Sequence, residues 1–196
     1  MRTIIFIRHG ESVVNTTFTL SSDIEGYPLT GKGRAQATGI ASAICNAKIT
    51  TLYTSPVLRA VQTAQIIAER CGIAPRVDGR LIERRMGGLN NVNFGSRDNL
   101  RNAILEEIKS GYKKDLEPWD GLRDRVADFV KGAAAGVTAA VTHRDVILAA
   151  LAAVDSEYDD YDRETEISQA SATTIDFENR RIIGINSKEV PKLDAE

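Results

Sequence analysis

Histidine and cysteine occur only twice each in this chain of 196 residues, and tryptophan once. Two cysteines, Cys45 and Cys71, are too few for a disulfide-dense secreted scaffold, and they lack the C-x-x-C spacing of a zinc site. Neither a disulfide framework nor a cysteine metal site is expected, and a reducing cytoplasm fits. Net charge is also scarce. With 25 Lys plus Arg against 27 Asp plus Glu, the formal balance is −2, so no global basic field exists to hold a nucleic acid. Long apolar runs are missing too. The N-terminal run Ile4 to Ile7 spans four residues, against roughly 7–15 for a signal-peptide core and about 20 for a membrane span. Neither export nor membrane anchoring is expected.

What is present is ordinary globular usage, 42% hydrophobic and 27% charged, which excludes a disordered or fibrous chain. At about 150 residues per domain, positions 1–196 read as one domain, monomeric or homodimeric, with a frayed tail from Lys188 to Glu196. Thr3-Ile4-Ile5-Phe6-Ile7 reads as a strand buried on both faces, the mark of a parallel sheet covered by helices. A helix is predicted over Gly31 to Ala47 and a strand over Thr50 to Thr54, completing a β-α-β unit. Ser55-Pro56 reads as the N-cap and first position of a helix from Val57 to Cys71, ended by Gly72. Further helices are predicted over Leu100 to Ile108, Leu122 to Ala135 and Val146 to Val154. A strand runs from Gly136 to Thr142, and Thr173 to Ile185 reads as a hairpin. Gly87 to Asn99 reads as a loop and the acidic run Asp155 to Glu166 as a solvated face. Trp119 is assigned to packing. The pattern predicts a three-layer α/β/α sandwich around a mostly parallel sheet.

Three predicted strands end in Arg8-His9-Gly10, in Ser55 with Arg59 one turn on, and in His143-Arg144. Ligands of open α/β sheets bind beyond the carboxyl ends of the strands, so these groups can converge although the histidines lie 134 residues apart. Each histidine has an arginine beside it, and guanidinium matches phosphate or carboxylate oxygens with paired hydrogen bonds. The expectation is an anion site in which a neutral imidazole attacks phosphorus while arginines balance charge. A leaving alkoxide needs a proton, and Glu83 and Glu11 are the candidate acids. Gly31-Lys32-Gly33 lacks P-loop spacing and is read as a helix start. With two histidines and no H-x-x-x-H, a metallohydrolase is disfavoured.

Arg8-His9-Gly10-Glu11-Ser12 with Asn15 resembles the signature of the histidine phosphatase superfamily, which groups phosphatases with cofactor-dependent phosphoglycerate mutases. Four more pieces follow in that family's order: Leu29-Thr30-x-x-Gly33-x-x-Gln36-Ala37, Thr54-Ser55-Pro56-x-x-Arg59-Ala60-x-Gln62-Thr63-Ala64, Leu81-x-Glu83-Arg84-x-x-Gly87 and Val141-Thr142-His143. The resemblance implies a phosphoglycerate mutase-like fold and chemistry without metal or other cofactor. It implies His9 as the nucleophile that becomes phosphohistidine, with Arg8, Arg59 and His143 completing the phosphate pocket. Glu83 is implied as proton donor, and Asn15 and Ser55 as further hydrogen bonds to phosphoryl group or substrate. Arg84 is a candidate clamp for a second anionic group, or else a surface charge with Arg85.

Three departures bear on substrate. Arg144-Asp145 follows the second histidine where the family commonly has glycine, which adds a candidate anion contact. Met86 stands where mutases usually carry a substrate-binding tyrosine. Only 59 residues separate Glu83 from His143, too few for the mutases' large lid. The expected activity is therefore hydrolysis of a small phosphomonoester, with phosphoglycerate mutase as the alternative.

Overall fold

In the computed structural model, which describes residues 2–158 and 165–190, six strands form one sheet in the order β3-β2-β4-β1-β5-β6. The strands are β1 (Arg2–Arg8), β2 (Thr51–Thr54), β3 (Pro75–Val77), β4 (Gly136–Thr142), β5 (Ala172–Asp176) and β6 (Arg181–Ser187). β1, β4, β2 and β3 are parallel neighbours, while β5 and β6 join antiparallel at one edge. The helices are α1 (Val13–Thr16), α2 (Gly31–Asn46), α3 (Leu58–Cys71), α4 (Arg97–Lys109), α5 (Trp119–Gly132) and α6 (Arg144–Ala152).

Alternation along β1 explains the layers. Ile5 and Ile7 point to one face and meet Ile40 and Ile44 of α2 and Ile67 of α3. Ile4 and Phe6 point to the other and meet Val126 and Phe129 of α5 and Leu148 of α6. All four β1 side chains are fully buried, so each strand face carries a helical layer. Trp119 is 9% exposed and joins the α5 layer, as assigned.

Where the fold departs from the sequence pattern, tertiary contacts decide. β1 and β2 are parallel, but β4 lies between them, because local patterning cannot say which strand is inserted later in the chain. α3 starts at Leu58 with Val57 as N-cap, two residues beyond Ser55. Ser55 Oγ does accept from Val57 N at 3.3 Å, but it also bonds His143 Nε2 at 2.9 Å, so the site holds it outside the helix. α4, α5 and α6 each begin two or three residues early, and the stretch read as a loop includes a 3₁₀ turn at Gly87–Leu89 and the first turn of α4. β3, a three-residue edge strand opened by proline, was too short to read. Gly72 is left-handed at φ 68°, as its C′ position requires.

Three expectations are corrected. Cys45 and Cys71 form a disulfide that ties the end of α2 to the end of α3, their Cα atoms 5.1 Å apart. Their 26-residue separation hid this, since helix packing rather than spacing brings them together, and the argument from unpaired cysteines to a reducing compartment falls with it. The tail does not fray at Lys188: its Nζ donates to the Gln169 and Ala170 carbonyls, and Val190 packs against the α2–α3 layer. Residues 191–196, and 159–164 of the acidic run, lie outside the described residues. Among the described residues, no helix is long and apolar enough to cross a membrane.

Gly33 is required by close approach. Thr30 caps α2 by accepting from Gly33 N at 3.0 Å, and a Cβ on Gly33 would stand 1.9 Å from the Glu11 carbonyl oxygen. Gly33→Ala is expected to lower stability by about 3 kcal/mol, whereas Gly39→Ala, in open space on the same helix, gains up to about 1 kcal/mol; thermal unfolding distinguishes them. The double change Cys45→Ser, Cys71→Ser opens a loop whose closure is worth about 3 kcal/mol, measurable as a lower urea midpoint.

Candidate active site

The β1–β4 register pairs Arg8 with Thr142, and His9 N donates to Thr142 O at 3.0 Å, so the next residues, His9 and His143, lie side by side. Their ring centroids are 5.1 Å apart. β2 runs on the other side of β4, where Ser55 N donates to Val141 O at 2.9 Å. Three adjacent strand ends thus deliver Arg8-His9, His143 and Ser55 to one place, and α3 brings Arg59 in from above β2.

His9 is 2% exposed. Its Nδ1 donates to the Gly10 carbonyl at 2.7 Å, which leaves the Nε2 lone pair free to accept, and Arg59 Nε donates to it at 3.1 Å. Gly10 N donates to Thr63 Oγ1 at 3.1 Å, and that hydroxyl donates to Arg59 O at 2.8 Å. The two motifs therefore hold each other. Burial, then the charges of Arg59 and Arg8, push the His9 pKa well below its ordinary value, so the ring is neutral. His143 is lowered by the same causes, burial first and then Arg59. Its Nδ1 stands 3.8 Å from Glu83 Oε2, a contact between a neutral ring and a carboxyl group, not an ion pair.

Arg59, 2% exposed, donates through Nη2 to Ser21 O at 2.8 Å and approaches His143 Nδ1 at 3.4 Å. Arg8 donates to Ile167 O at 2.5 Å. Two buried donors, Arg59 Nη1 and Arg8 Nε, have no hydrogen-bond partner among the described residues. Buried donors are normally satisfied, and donors left over beside a neutral imidazole suit an oxyanion. Burial lowers the Arg8 pKa to about 10, which still leaves it charged at neutral pH.

Of the two candidate acids, Glu83 is in place and Glu11 is not. Glu83 lines the cavity with His9, and its Oε1 accepts from Arg84 N at 2.9 Å. Burial, then the charge of Asp145, raise its pKa to about 7 against the pull of Arg59 and Arg8. Glu11 pairs with Lys32 Nζ at 2.8 Å and accepts from Thr30 Oγ1 at 2.9 Å, which lowers its pKa and turns it toward α2.

A cavity of about 360 Å³ opens over these groups, and Arg8, His9, Asn15, Arg59, Glu83 and Arg144 all line it. Asn15 Oδ1 is occupied by Ser12 N and Oγ at 3.0 and 3.1 Å. Ser55 does not line the cavity; fully buried, it braces His143. Arg84 does not line it either. It is fully buried, donates from Nε to Glu117 O at 2.7 Å and lies over the Trp119 ring at 6.0 Å, so it is neither a surface charge nor a clamp facing the cavity. Arg144 does line it, paired with Asp145 at 3.2 Å.

Sequence reading missed Asp145 as a buried carboxylate, the Ser21 carbonyl that holds Arg59, and the contribution of α4 to the cavity wall. Only the pattern Arg144-Asp145 carried a signal; a backbone carbonyl has none. Among the described residues no cluster of three metal-ligating side chains occurs.

A neutral imidazole, guanidinium donors and a carboxyl with its pKa raised to about 7, gathered beyond the carboxyl ends of parallel strands, form a site suited to phosphoryl transfer. The sequence profile of the histidine phosphatase superfamily, branch 1, matches residues 4–186, and the chain belongs to that family. It is 34% identical over 194 residues, 95% of this chain and 93% of the other, to a 2,3-bisphosphoglycerate-dependent phosphoglycerate mutase of Thermoplasma acidophilum. Its fold is similar to the alpha-ribazole phosphatase from Shigella flexneri, with TM-score 0.78, 18% identity and coverage of 98% of this chain and 100% of that one. A mycobacterial glucosyl-3-phosphoglycerate phosphatase is similar at TM-score 0.70 and 21% identity, over 90% and 93% of the two chains.

If Asp145 helps hold the Glu83 proton, Asp145→Asn lowers the Glu83 titration midpoint from about 7, because it removes a like charge. Carbon-13 NMR of glutamate-labelled protein reads that midpoint directly.

Proposed function

We propose that the protein hydrolyses a small phosphomonoester through a phosphohistidine at His9, without a metal. The observation that carries this reading is the neutral His9 imidazole, whose Nε2 lone pair faces the Arg59 guanidinium while the donors Arg59 Nη1 and Arg8 Nε lack partners.

The phosphoryl group enters against Arg8 and Arg59, whose N–H groups donate hydrogen bonds to its non-bridging oxygens and keep their protons. Arg59 Nε–H then leaves the His9 lone pair for a phosphoryl oxygen. His9 Nε2 attacks phosphorus; the N–P bond forms as the P–O bond to the leaving group breaks, and Glu83 transfers its proton to the departing alkoxide. Gly10 O, accepting from Nδ1–H at 2.7 Å, stabilises the positive ring that forms. The Glu83 carboxylate next takes a proton from water, which attacks phosphorus and releases phosphate and neutral His9. A carboxyl with a pKa near 7 serves both steps at neutral pH. Ser55 orients His143 behind the phosphate, Asn15 and Arg144 border the leaving group, and Arg84 fixes the backbone beside Glu83.

One observation favours a second reading: the Thermoplasma relative, matched over nearly its whole length, bears the name of a mutase. A mutase keeps the phosphohistidine from water and returns the phosphoryl group to a second substrate oxygen. Hydrolysis is preferred because the chain between Glu83 and His143 contributes a single helix, α4, to the cavity wall, a thin cover against water.

His9→Ala is expected to lower phosphate release from a phosphomonoester panel in EDTA by about a thousandfold or more, and the wild type to carry an acid-labile phosphoryl label. Loss of activity in EDTA, or unchanged turnover in the variant, would overturn the mechanism. On the same preparation, conversion of 3- to 2-phosphoglycerate outpacing phosphate release would establish the mutase reading instead.

A further inference from the structure

The cavity has two chemically distinct ends. The inner end holds Arg8, Arg59, His9 and Glu83. At the other, Leu20, Met86 and Ile104 are 9%, 4% and 3% exposed, pack in one cluster with Leu89 and Leu116, and also face the cavity. Leu100 and Leu105 of α4 extend this wall, and Phe18, 39% exposed, stands beside it. Leu100 and Ile104, four residues apart, share a helix face. Two cations, Arg97 and Arg101, lie exposed where α4 meets the cavity, one turn apart.

We infer that the α4 side of the cavity is a leaving-group subsite that selects phosphomonoesters of apolar alcohols over those of polyhydroxy or carboxylate-bearing ones. This rests on the phosphomonoester reading of the same site. A cavity of about 360 Å³ accommodates far more than a phosphoryl group. A hydroxyl or carboxylate placed against the side chains of Leu20, Met86 and Ile104 loses its water and receives no hydrogen bond from these three, the polar lining neighbours Thr19 and Ser21 flanking Leu20, whereas each methylene gains by leaving water. Met86, where a tyrosine would offer a hydroxyl, makes this wall wholly apolar at that position. Arg97 and Arg101 lie exposed at the rim.

Alkylphosphonates test this without turnover, because their C–P bond is not cleaved. Titration calorimetry with methyl-, propyl- and hexylphosphonate is expected to show affinity rising about threefold per methylene. Hexylphosphonate is expected to bind at least tenfold more tightly than the same chain ending in a carboxylate. Phe18→Ala, whose exposed side chain contributes little to folding, and Leu100→Ala should each flatten the chain-length dependence. In parallel, hexyl phosphate should be hydrolysed with a higher kcat/KM than glycerol phosphate.

A flat dependence, or tighter binding of the carboxylate-tipped chain through Arg97 and Arg101, would overturn the subsite even if hydrolysis is fast. If the phosphonate trend appears but no ester releases phosphate, the subsite stands and the hydrolase reading falls.

Discussion

The buried guanidinium of Arg59 is the interaction on which the rest of the site depends. Removing such a charge from water costs several kcal/mol even after relaxation, so its position must be secured by partners. Here the Ser21 carbonyl, His9 and His143 take its donors from three separate stretches of chain, and its own backbone carbonyl accepts from the Thr63 hydroxyl that receives Gly10 N–H. One side chain on α3 thereby orients His9 and, after burial, is the largest influence keeping both histidines neutral. The charge that remains incompletely satisfied, at Nη1, is what an arriving oxyanion would complete.

Acids and bases are separated by the same electrostatics. His9 and His143 are held neutral by burial and by neighbouring cations, while the Glu83 pKa is raised to about 7 by burial and by Asp145, although Arg59 and Arg8 pull the other way. Arginine keeps its charge through this environment where a lysine would tend to lose it. The site thus combines permanent positive charge with a neutral imidazole and a carboxyl that titrates near neutrality, three conditions that water at pH 7 would not sustain together.

Much of this was legible because both histidines sit just beyond the ends of unmistakable strands. The run Thr3–Ile7 and the run Gly136–Thr142 announce themselves as buried strands, and just beyond them stand Arg8-His9 and His143. Thr30, Gly33, Gln36, Gln62 and Thr63 belong to the same motifs for scaffolding reasons: Gln36 and Gln62 side chains accept from Glu11 N and Leu29 N at 2.8 Å each, locking the strand-end loop to α2 and α3. What was illegible were groups whose role depends on who packs against them. Arg84 follows Glu83 in sequence, yet it turns into the core toward Glu117 and Trp119, since its neighbour in space is α5 and not the cavity. Cys45 and Cys71 carried no spacing signal, because their meeting depends on how α2 lies against α3.

By itself the sequence determined the α/β alternation, the strands that must be buried on both faces, and the chemical inventory of two histidines with flanking arginines. Those follow from side-chain periodicity and residue type, which are local properties. Only the tertiary structure decided that β4 is inserted between β1 and β2, that Glu83 and not Glu11 shares the cavity with His9, and that α4 supplies leucine and isoleucine side chains to its wall. Each is an outcome of long-range packing. A carboxyl becomes an acid near neutrality only when burial strips its water, and no spacing along the chain can state where that burial will occur.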